Sequence, residues 1–142
     1  MSQVLKIKKL DTGVLLPDYS HAGDAALNIY ASKDVTLEPM ERVQVPTGIA
    51  LEIPQGYSVF IWDRSSMSHK HGLKTLGGVI DEGYRGEIMV GLINLSDEKY
   101  TIEKNHKIAQ MILQKREEIT IEEADTLSET IRGEKAFGST GK

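Results

Sequence analysis

The sequence of 142 residues predicts an all-β protein with one short helix. Short runs of alternating and β-branched residues recur at close spacing and are broken by glycine and proline turn signals, which is typical of a β-sandwich or barrel. The length allows a single hydrophobic core. Cysteine is absent, which excludes a disulfide scaffold, a thiolate metal site and a cysteine nucleophile.

The clearest strand pattern lies between residues 43 and 53. Five apolar residues there share one parity and would face the same side of an extended chain: Val43, Val45, Ile49, Leu51 and Ile53. We expect Pro46-Thr47-Gly48 to bend this segment and Pro54-Gln55-Gly56 to end it in a turn. Further strands are predicted at 57–62, 87–95, 100–102, 107–113 and 117–122.

Residues 64–71 form the one predicted helix. Serines stand at its start, basic residues stand near its end, and Gly72 follows, which is the order of a capped helix that terminates at glycine. The rest of the chain shows no repeat, low-complexity tract or linker, so we expect one β domain over residues 1–130. Residues 131–142 are rich in glycine and small hydroxyl residues, and we expect them to form a separate, flexible arm.

The net charge of −4 gives no bulk attraction to nucleic acid or to anionic lipid. Any phosphate binding must therefore come from a local site. The sequence contains no apolar run of about 20 residues, and Met1–Lys9 has no signal-peptide core. We expect a soluble, cytoplasmic protein with no nucleic-acid or membrane partner.

Three segments carry residues suited to phosphate chemistry. Arg64, Ser65 and Ser66 lie where a strand leads into the helix, so that a guanidinium, two hydroxyls and free backbone N–H groups could bind an anion. The alternative is that a serine only caps the helix and Arg64 only pairs with Asp63. Gln110, within the apolar run 107–113, would bond either a backbone group or a ligand oxygen.

The segment 77–87 is dense in glycine around Asp81 and Tyr84. Glycines let a planar ligand approach the main chain, and a carboxylate after two β-branched residues could orient one water as a general base. Tyr84 could offer its ring to a sugar. We expect Val79 and Ile80 to be buried. The alternative to a catalytic site is a β-hairpin in which Asp81 and Glu82 are ordinary turn residues.

The tail combines Arg132 and Phe137 with Ser139 and Thr140. A phenylalanine between small residues could close over a flat ligand, while hydroxyl and N–H groups wrap phosphates. A disordered terminus would have the same composition.

Taken in order, these segments resemble the motifs of the trimeric dUTPase family (deoxyuridine triphosphate nucleotidohydrolases), from about Ala22 to the last residue. Residues 63–67 resemble the second motif, 78–86 the third, 107–112 the fourth and 132–141 the fifth. The third and fifth are highly specific, and the order and spacing of all four strengthen the resemblance.

The resemblance implies a jelly-roll-like fold, a homotrimer with active sites shared between subunits, and hydrolysis of dUTP to dUMP and pyrophosphate with Mg²⁺. It implies that Asp81 orients the attacking water, Tyr84 packs under the deoxyribose and Phe137 stacks on uracil. The arm would close on a neighbouring subunit's active site. The substrate-binding residues that it implies are Arg64, Ser65, Ser66, Gly78, Val79, Ile80, Tyr84, Gln110, Arg132, Phe137, Gly138, Ser139 and Thr140.

One departure concerns the metal. The first motif of the family carries an aspartate near the water shell of the metal, and this sequence has Asn28 at that position. We expect no direct protein ligand to Mg²⁺, with Asn28 acting through a water. The fourth motif begins with Asn105-His106-Lys107, and Ala136 replaces a glycine of the fifth.

Two alternatives remain at this point. The dCTP deaminases, including bifunctional deaminase/dUTPases, resemble this chain in fold and motifs, but carry a catalytic glutamate where this chain has Gly91. Gly91 has no group for proton transfer, which disfavours deamination. A non-catalytic jelly-roll binding module is the more distant alternative, since a fold does not fix a function.

Overall fold

The computed structural model describes residues 3–138, 140 and 141. These contain ten strands and one helix: β1 (Lys6–Lys9), β2 (Leu27–Tyr30), β3 (Val35–Leu37), β4 (Arg42–Glu52), β5 (Tyr57–Trp62), α1 (Ser65–His71), β6 (Leu73–Leu76), β7 (Val79–Ile80), β8 (Glu87–Asn94), β9 (Tyr100–Ile102) and β10 (Lys107–Lys115). The prediction of an all-β chain with one short helix is confirmed. No helix in these residues is long and apolar enough to cross a membrane.

Two antiparallel sheets of four strands form the body of the protein. Their strand orders are β1-β4-β8-β6 and β2-β10-β5-β7, and β3 and β9 pair separately. The buried apolar residues of both sheets form one cluster. Each Val, Leu or Ile fully buried there contributes roughly 1.5–3 kcal/mol relative to an exposed position.

The alternation predicted for residues 43–53 faces this core. Val45, Ile49, Leu51 and Ile53 are buried and Val43 is partly buried. The predicted bend at 46–48 is a bulge within β4, because its register with β8 shifts between Pro46 and Ala50 while the strand continues. Strand β4 therefore continues through Pro46 and does not end there.

The helix lies where the sequence predicts it and ends at Gly72, which has a φ of 67°. The prediction of a serine cap is wrong, since Arg64 occupies the capping position and no side chain caps the first turn. The alternative pairing of Arg64 with Asp63 is also wrong. Asp63 pairs with Lys74 at 2.8 Å, and the Arg64 guanidinium bonds a backbone carbonyl of β10.

The segment around Asp81 is not a hairpin. β7 pairs with β5 in one sheet, whereas β8 lies in the other sheet, so residues 81–86 cross between sheets. The expected burial of Val79 is wrong as well, because its side chain is 65% exposed at the sheet edge. Asp81 thus stands on a crossing turn, at the end of an edge strand.

The strand predicted at 117–122 is absent. Residues 117–138 contain no strand or helix, and Ile119 and Ile121 are almost fully exposed. The alternation of this segment is that of a strand, but a strand needs a partner edge. The described residues of this chain offer no free sheet edge that pairs with residues 117–122.

Met40 is the one apolar residue of the described chain with a positive φ, at 64°, and its side chain is 65% exposed. This conformation costs a residue with a Cβ about 1–2 kcal/mol, while glycine loses about 0.5–1 kcal/mol more in ordering. Met40→Gly should therefore raise the free energy of unfolding by about 0.5–1 kcal/mol. Urea denaturation measures this change.

Asn105→Gly is the matched control, since Asn105 has a φ of 69° and asparagine tolerates this region. Its effect should be smaller than that of Met40→Gly. A lower midpoint for Met40→Gly than for the unmodified protein would contradict the prediction.

Candidate active site

An open cleft of about 530 Å³ lies where β2, β10 and the start of α1 meet. Four predicted phosphate-binding residues line it together, namely Arg64, Ser65, Ser66 and Gln110. Asn28 lines the same cleft, opposite Gln110 in the register of β2 and β10. The structure thus brings three segments that are distant in sequence to one surface.

Strand β10 holds the loop that carries Arg64. Gln110 Nε2 donates to the carbonyl oxygen of Asp63 at 2.7 Å, and Arg64 Nη1 donates to the carbonyl oxygen of Lys107 at 3.2 Å. Of the two partners considered for Gln110, a backbone group is the one present in the protomer. The guanidinium keeps other N–H donors for the cleft.

The Asp63 carboxylate fixes the same loop from the other side. Its Oδ1 accepts the Thr75 N–H at 2.7 Å, and its Oδ2 lies 2.8 Å from Lys74 Nζ. Burial raises the pKa of Asp63, but the hydrogen bonds from Lys74 and Thr75 outweigh it and hold the pKa below its usual value. The loop before α1 is therefore anchored to β6 as well as to β10.

The residues that line the cleft include two groups of different chemistry. Arg64, the exposed hydroxyls of Ser65 and Ser66, and the amide of Gln110 offer hydrogen-bond donors. Such donors suit the oxygens of a polyphosphate. Ser20, Asp24 and Asn28 line the same cleft and bring acceptor oxygens.

Behind Asn28 lies a carboxylate for which the sequence gives no signal. The Tyr30 hydroxyl donates to Asp18 Oδ1 at 2.6 Å, and Asn28 Nδ2 contacts the same oxygen at 3.3 Å. The bond from Tyr30 lowers the pKa of Asp18, while burial and Asp18 together raise the pKa of Tyr30 to about 12. The contact between residues 18 and 28 depends on the loop closing onto β2, so no local pattern predicts it.

β7 lies at the edge of the second sheet and is held by a close contact at Gly78. The Gly78 carbonyl accepts the Ile61 N–H at 2.8 Å, and a Cβ at Gly78 would lie 2.7 Å from the Ile61 carbonyl oxygen. The backbone has a φ of 111° at this position. Because hydrogen-bonded pairs alternate along an antiparallel ladder, the main-chain groups of Val79 point away from β5, whereas those of Ile80 point toward it.

The turn after β7 presents Asp81 and Tyr84 to solvent. The Tyr84 N–H donates to the Asp81 carbonyl at 3.0 Å, and the Tyr84 hydroxyl donates to the Glu87 carbonyl at 2.9 Å. Glu82 anchors the turn to the β4–β5 loop by accepting the Gly56 N–H at 2.8 Å. The Asp81 carboxylate is exposed on a turn that is fixed at both ends.

The structure does not bring this turn to the cleft. No residue between 77 and 87 is among the described residues that line it. The arm lies apart as well. Arg132 bonds the Lys135 carbonyl, and Phe137, Gly138 and Thr140 are exposed. Ser139 lies outside the described residues. One protomer therefore holds three separate groups of predicted site residues.

Gly91 is packed against the backbone of a neighbouring strand. It pairs with Leu76 of β6, and a Cβ would lie 2.9 Å from the Leu76 carbonyl oxygen. A glutamate at this position would displace β6. The backbone thus gives no room for the residue that a deaminase of this fold carries there.

A β-sandwich with a donor-lined cleft and an acidic turn at a sheet edge suits a protein that binds phosphorylated ligands. A family model described as dUTPase matches residues 13–141. The chain belongs to the dUTPase family. Its relatives include the deoxyuridine 5'-triphosphate nucleotidohydrolases of Clostridium novyi, 42% identical over 96% of this chain and 98% of that one, and of Finegoldia magna, 46% identical over 89% and 91%.

Solved structures show the same architecture. A dUTPase of Staphylococcus bacteriophage 80alpha with dUpNHpp has a TM-score of 0.91 at 28% identity, over 99% of this chain and 100% of that chain. The expected dUTPase fold is thereby confirmed. The alternatives of a deaminase and of a binding module receive no support from these relatives.

Gly78→Ala tests whether the close approach of Gly78 to the Ile61 carbonyl determines the position of β7. The new methyl group would push β7 away from β5, and a shift of about 1 Å at a substrate contact costs on the order of tenfold to a hundredfold in kcat/KM. The measurement is the kcat/KM for dUTP hydrolysis.

Gly77→Ala is the matched control, because Gly77 also has a positive φ, of 67°, but no atom lies within 4 Å of its Cβ position. Its strain should lower stability with a smaller effect on kcat/KM. Equal losses in the two variants would show that strain, and not the contact with Ile61, is responsible.

Proposed function

We propose that this dUTPase acts by in-line attack of a water oriented by Asp81, which releases dUMP and pyrophosphate from dUTP. The observation that carries the proposal is the cleft that gathers Arg64, Ser65, Ser66 and Gln110 in a chain of this family. Water supplies the oxygen that joins the nucleotide phosphate, and pyrophosphate leaves with the bridging oxygen. Chemistry of this kind needs positioning and charge stabilisation more than a covalent nucleophile.

The cleft binds the phosphates. Arg64 is held by β10 through one Nη, so its remaining donors face the phosphate oxygens without a large loss of side-chain freedom. The hydroxyls of Ser65 and Ser66 add neutral donors. Donors fixed in advance stabilise the charge that develops on the leaving group.

The edge of β7 and the crossing turn hold the nucleoside. The outward main-chain groups of Val79, flanked by Gly78 and Ile80, read the uracil edge. Tyr84, fixed through Glu87, offers its ring to the deoxyribose and leaves no room for a 2′-hydroxyl. The Asp81 carboxylate accepts a proton from the attacking water as a general base.

A homotrimer with shared sites unites these groups. Within one protomer the turn of Asp81 and the cleft of Arg64 are separate, so each would be completed by another copy of the chain. The exposed apolar side chains of the segment after β10, including Ile119, Ile121 and Leu127, support the same assembly, since a neighbouring subunit would cover them.

The arm, residues 131–142, closes on a neighbouring subunit's active site. Arg132 and Thr140, with Ser139, clasp the phosphates, and Phe137 with Gly138 covers the uracil. Phe137 is fully exposed in the protomer, which suits a ring that finds its partner only when a nucleotide is bound. Closure excludes water other than the one at Asp81.

Mg²⁺ fits this site as an ion bound mainly by the substrate. In the described part of the chain no group of three or more His, Asp or Glu side chains could hold a metal by itself. The acceptor oxygens of Ser20, Asp24 and Asn28 suit water molecules of a cation bound to the phosphates. When bound, Mg²⁺ supplies neutralisation of the triphosphate charge.

Asp81→Asn should lower kcat for dUTP by on the order of 10²- to 10⁴-fold, because the general base is lost while the binding contacts stay. Release of pyrophosphate from each deoxynucleoside triphosphate with Mg²⁺ measures this, with dUTP the only efficient substrate. Asp97→Asn, an exposed carboxylate on a distant turn, is the control and should keep full activity.

Ammonia from dCTP would overturn the dUTPase assignment. Full activity of Asp81→Asn would contradict the role of Asp81 as general base. Calorimetry with a non-hydrolysable α,β-imido analogue of dUTP checks that the variant still binds the nucleotide.

Deletion of residues 132–142 should abolish efficient turnover and leave the trimer folded, because none of the described residues in this stretch belongs to the core. Gel filtration and light scattering follow the assembly. A truncated protein with full activity would contradict the role of the arm.

Mixing the chain that lacks residues 132–142 with the Asp81→Asn variant tests directly whether each active site is shared between two subunits. After unfolding and refolding together in equal amounts, about a quarter of the sites would combine an intact arm with an intact Asp81 from a different subunit. Recovery of about that fraction of activity is expected. No recovery would mean that each site takes both elements from one chain.

A further inference from the structure

Asn28 lies between the cleft and a carboxylate outside it. Its side chain is 8% exposed and lines the cleft. Nδ2 donates to Ser20 Oγ at 2.8 Å, to the Asp18 carbonyl at 3.2 Å and to Asp18 Oδ1 at 3.3 Å. The backbone N–H of Asn28 also donates to the Asp18 carbonyl, at 2.8 Å. Two of the three contacts of the amide nitrogen are thus with Asp18, which is not among the described residues that line the cleft, and the third is with Ser20, which lines it.

These partners decide which way the amide faces. A carbonyl and an ionised carboxylate only accept hydrogen bonds, so the nitrogen must face Asp18, and the flipped amide would set oxygen against oxygen. The Tyr30 hydroxyl donates to the same Asp18 oxygen at 2.6 Å and favours its ionised form. Asp18 and Tyr30 together therefore hold the orientation of Asn28.

The amide oxygen is the atom left for the cleft. No donor in the described residues bonds Asn28 Oδ1, yet no buried side-chain polar atom of these residues lacks a partner. Oδ1 is therefore accessible to solvent, and Asn28 is one of the residues that line the cleft. The charge of Asp18 behind the amide increases the negative character of this oxygen.

We propose that Asp18 is a positioning residue that turns the Asn28 amide so that Oδ1 accepts a hydrogen bond from a water of the phosphate-bound Mg²⁺. The proposal rests on the proposed function, hydrolysis of dUTP with Mg²⁺. The two residues divide one task, because Asn28 supplies the oxygen and Asp18 supplies the charge and the orientation. The pair stands in for the single aspartate of the motif that this segment resembles.

Restoring that aspartate alone should be harmful. Asn28→Asp places a carboxylate oxygen where Nδ2 now lies, 3.2 and 3.3 Å from two Asp18 acceptors. Two carboxylates at this distance repel, and one of them would bind a proton or move away. Adding Asp18→Asn removes the repulsion between the two side chains, since the new amide at position 18 donates to the new carboxylate at position 28.

The experiment compares the unmodified enzyme with Asp18→Asn, Asn28→Asp, the double variant and the control Asp97→Asn. One readout is the Mg²⁺ concentration for half-maximal dUTP hydrolysis. The other is the affinity for α,β-imido dUTP by calorimetry, with and without Mg²⁺. Each single variant should need about tenfold more Mg²⁺, with the metal-free affinity unchanged. The double variant should return to within about twofold of the unmodified enzyme, and the control should not change.

The outcomes separate this proposal from the one on which it rests. An unmodified enzyme that leaves dUTP intact refutes the proposed function, whereas active enzyme with an unaltered Mg²⁺ requirement in Asp18→Asn overturns the role of Asp18. A lower melting temperature of Asp18→Asn, with an unchanged ratio of its analogue affinities with and without Mg²⁺, would show that Asp18 is only structural. This result would also overturn the proposal. If Asn28→Asp does not fold, recovery of folding in the double variant supports the pair, and its failure refutes it.

Discussion

The pairing of β10 with its two neighbours is the constraint on which the rest of the site depends. Gln110 lies opposite Asn28 of β2 on one side and opposite Trp62 of β5 on the other. This register brings the start of α1, with Arg64, to the same cleft as Asn28. β7 on the far side of β5 then carries Asp81 away from the cleft. A shift of one residue in β10 would turn Gln110 into the core and remove it from the cleft.

Hydrogen bonds to main-chain groups hold the side chains of this cleft in fixed positions. Gln110 and Arg64 both donate to backbone oxygens, and Asp63 accepts a backbone N–H. Backbone partners move only with their strands, so the donors stay in place before a ligand arrives. Preorganised donors of this kind stabilise developing charge without reorganising during the reaction. The net charge of −4 has no bearing on this, because the positive charge is local.

The groups of predicted site residues lie apart on the surface of one chain. The sandwich buries its apolar residues between two sheets, and the cleft and the turn of Asp81 lie at different places on its surface. The segment after β10 carries the alternation of a strand but has no edge to join in the protomer. Its exposed isoleucines are the physical reason to expect a partner subunit.

The sequence by itself determined the fold class, the helix with its glycine end, most strands and several of the residues that line the cleft. These follow from local rules: parity along β4, the glycine after His71, and polar residues at the end of an apolar run. Only the tertiary structure decided that β7 joins β5 and not β8, that Val79 is exposed, and that Asp63 bonds Lys74. Each of these depends on which strands meet, and strand partners are not encoded locally. The contact of Asp18 with Asn28 belongs to the same class, since a loop that closes over ten residues sets the amide that faces the cleft.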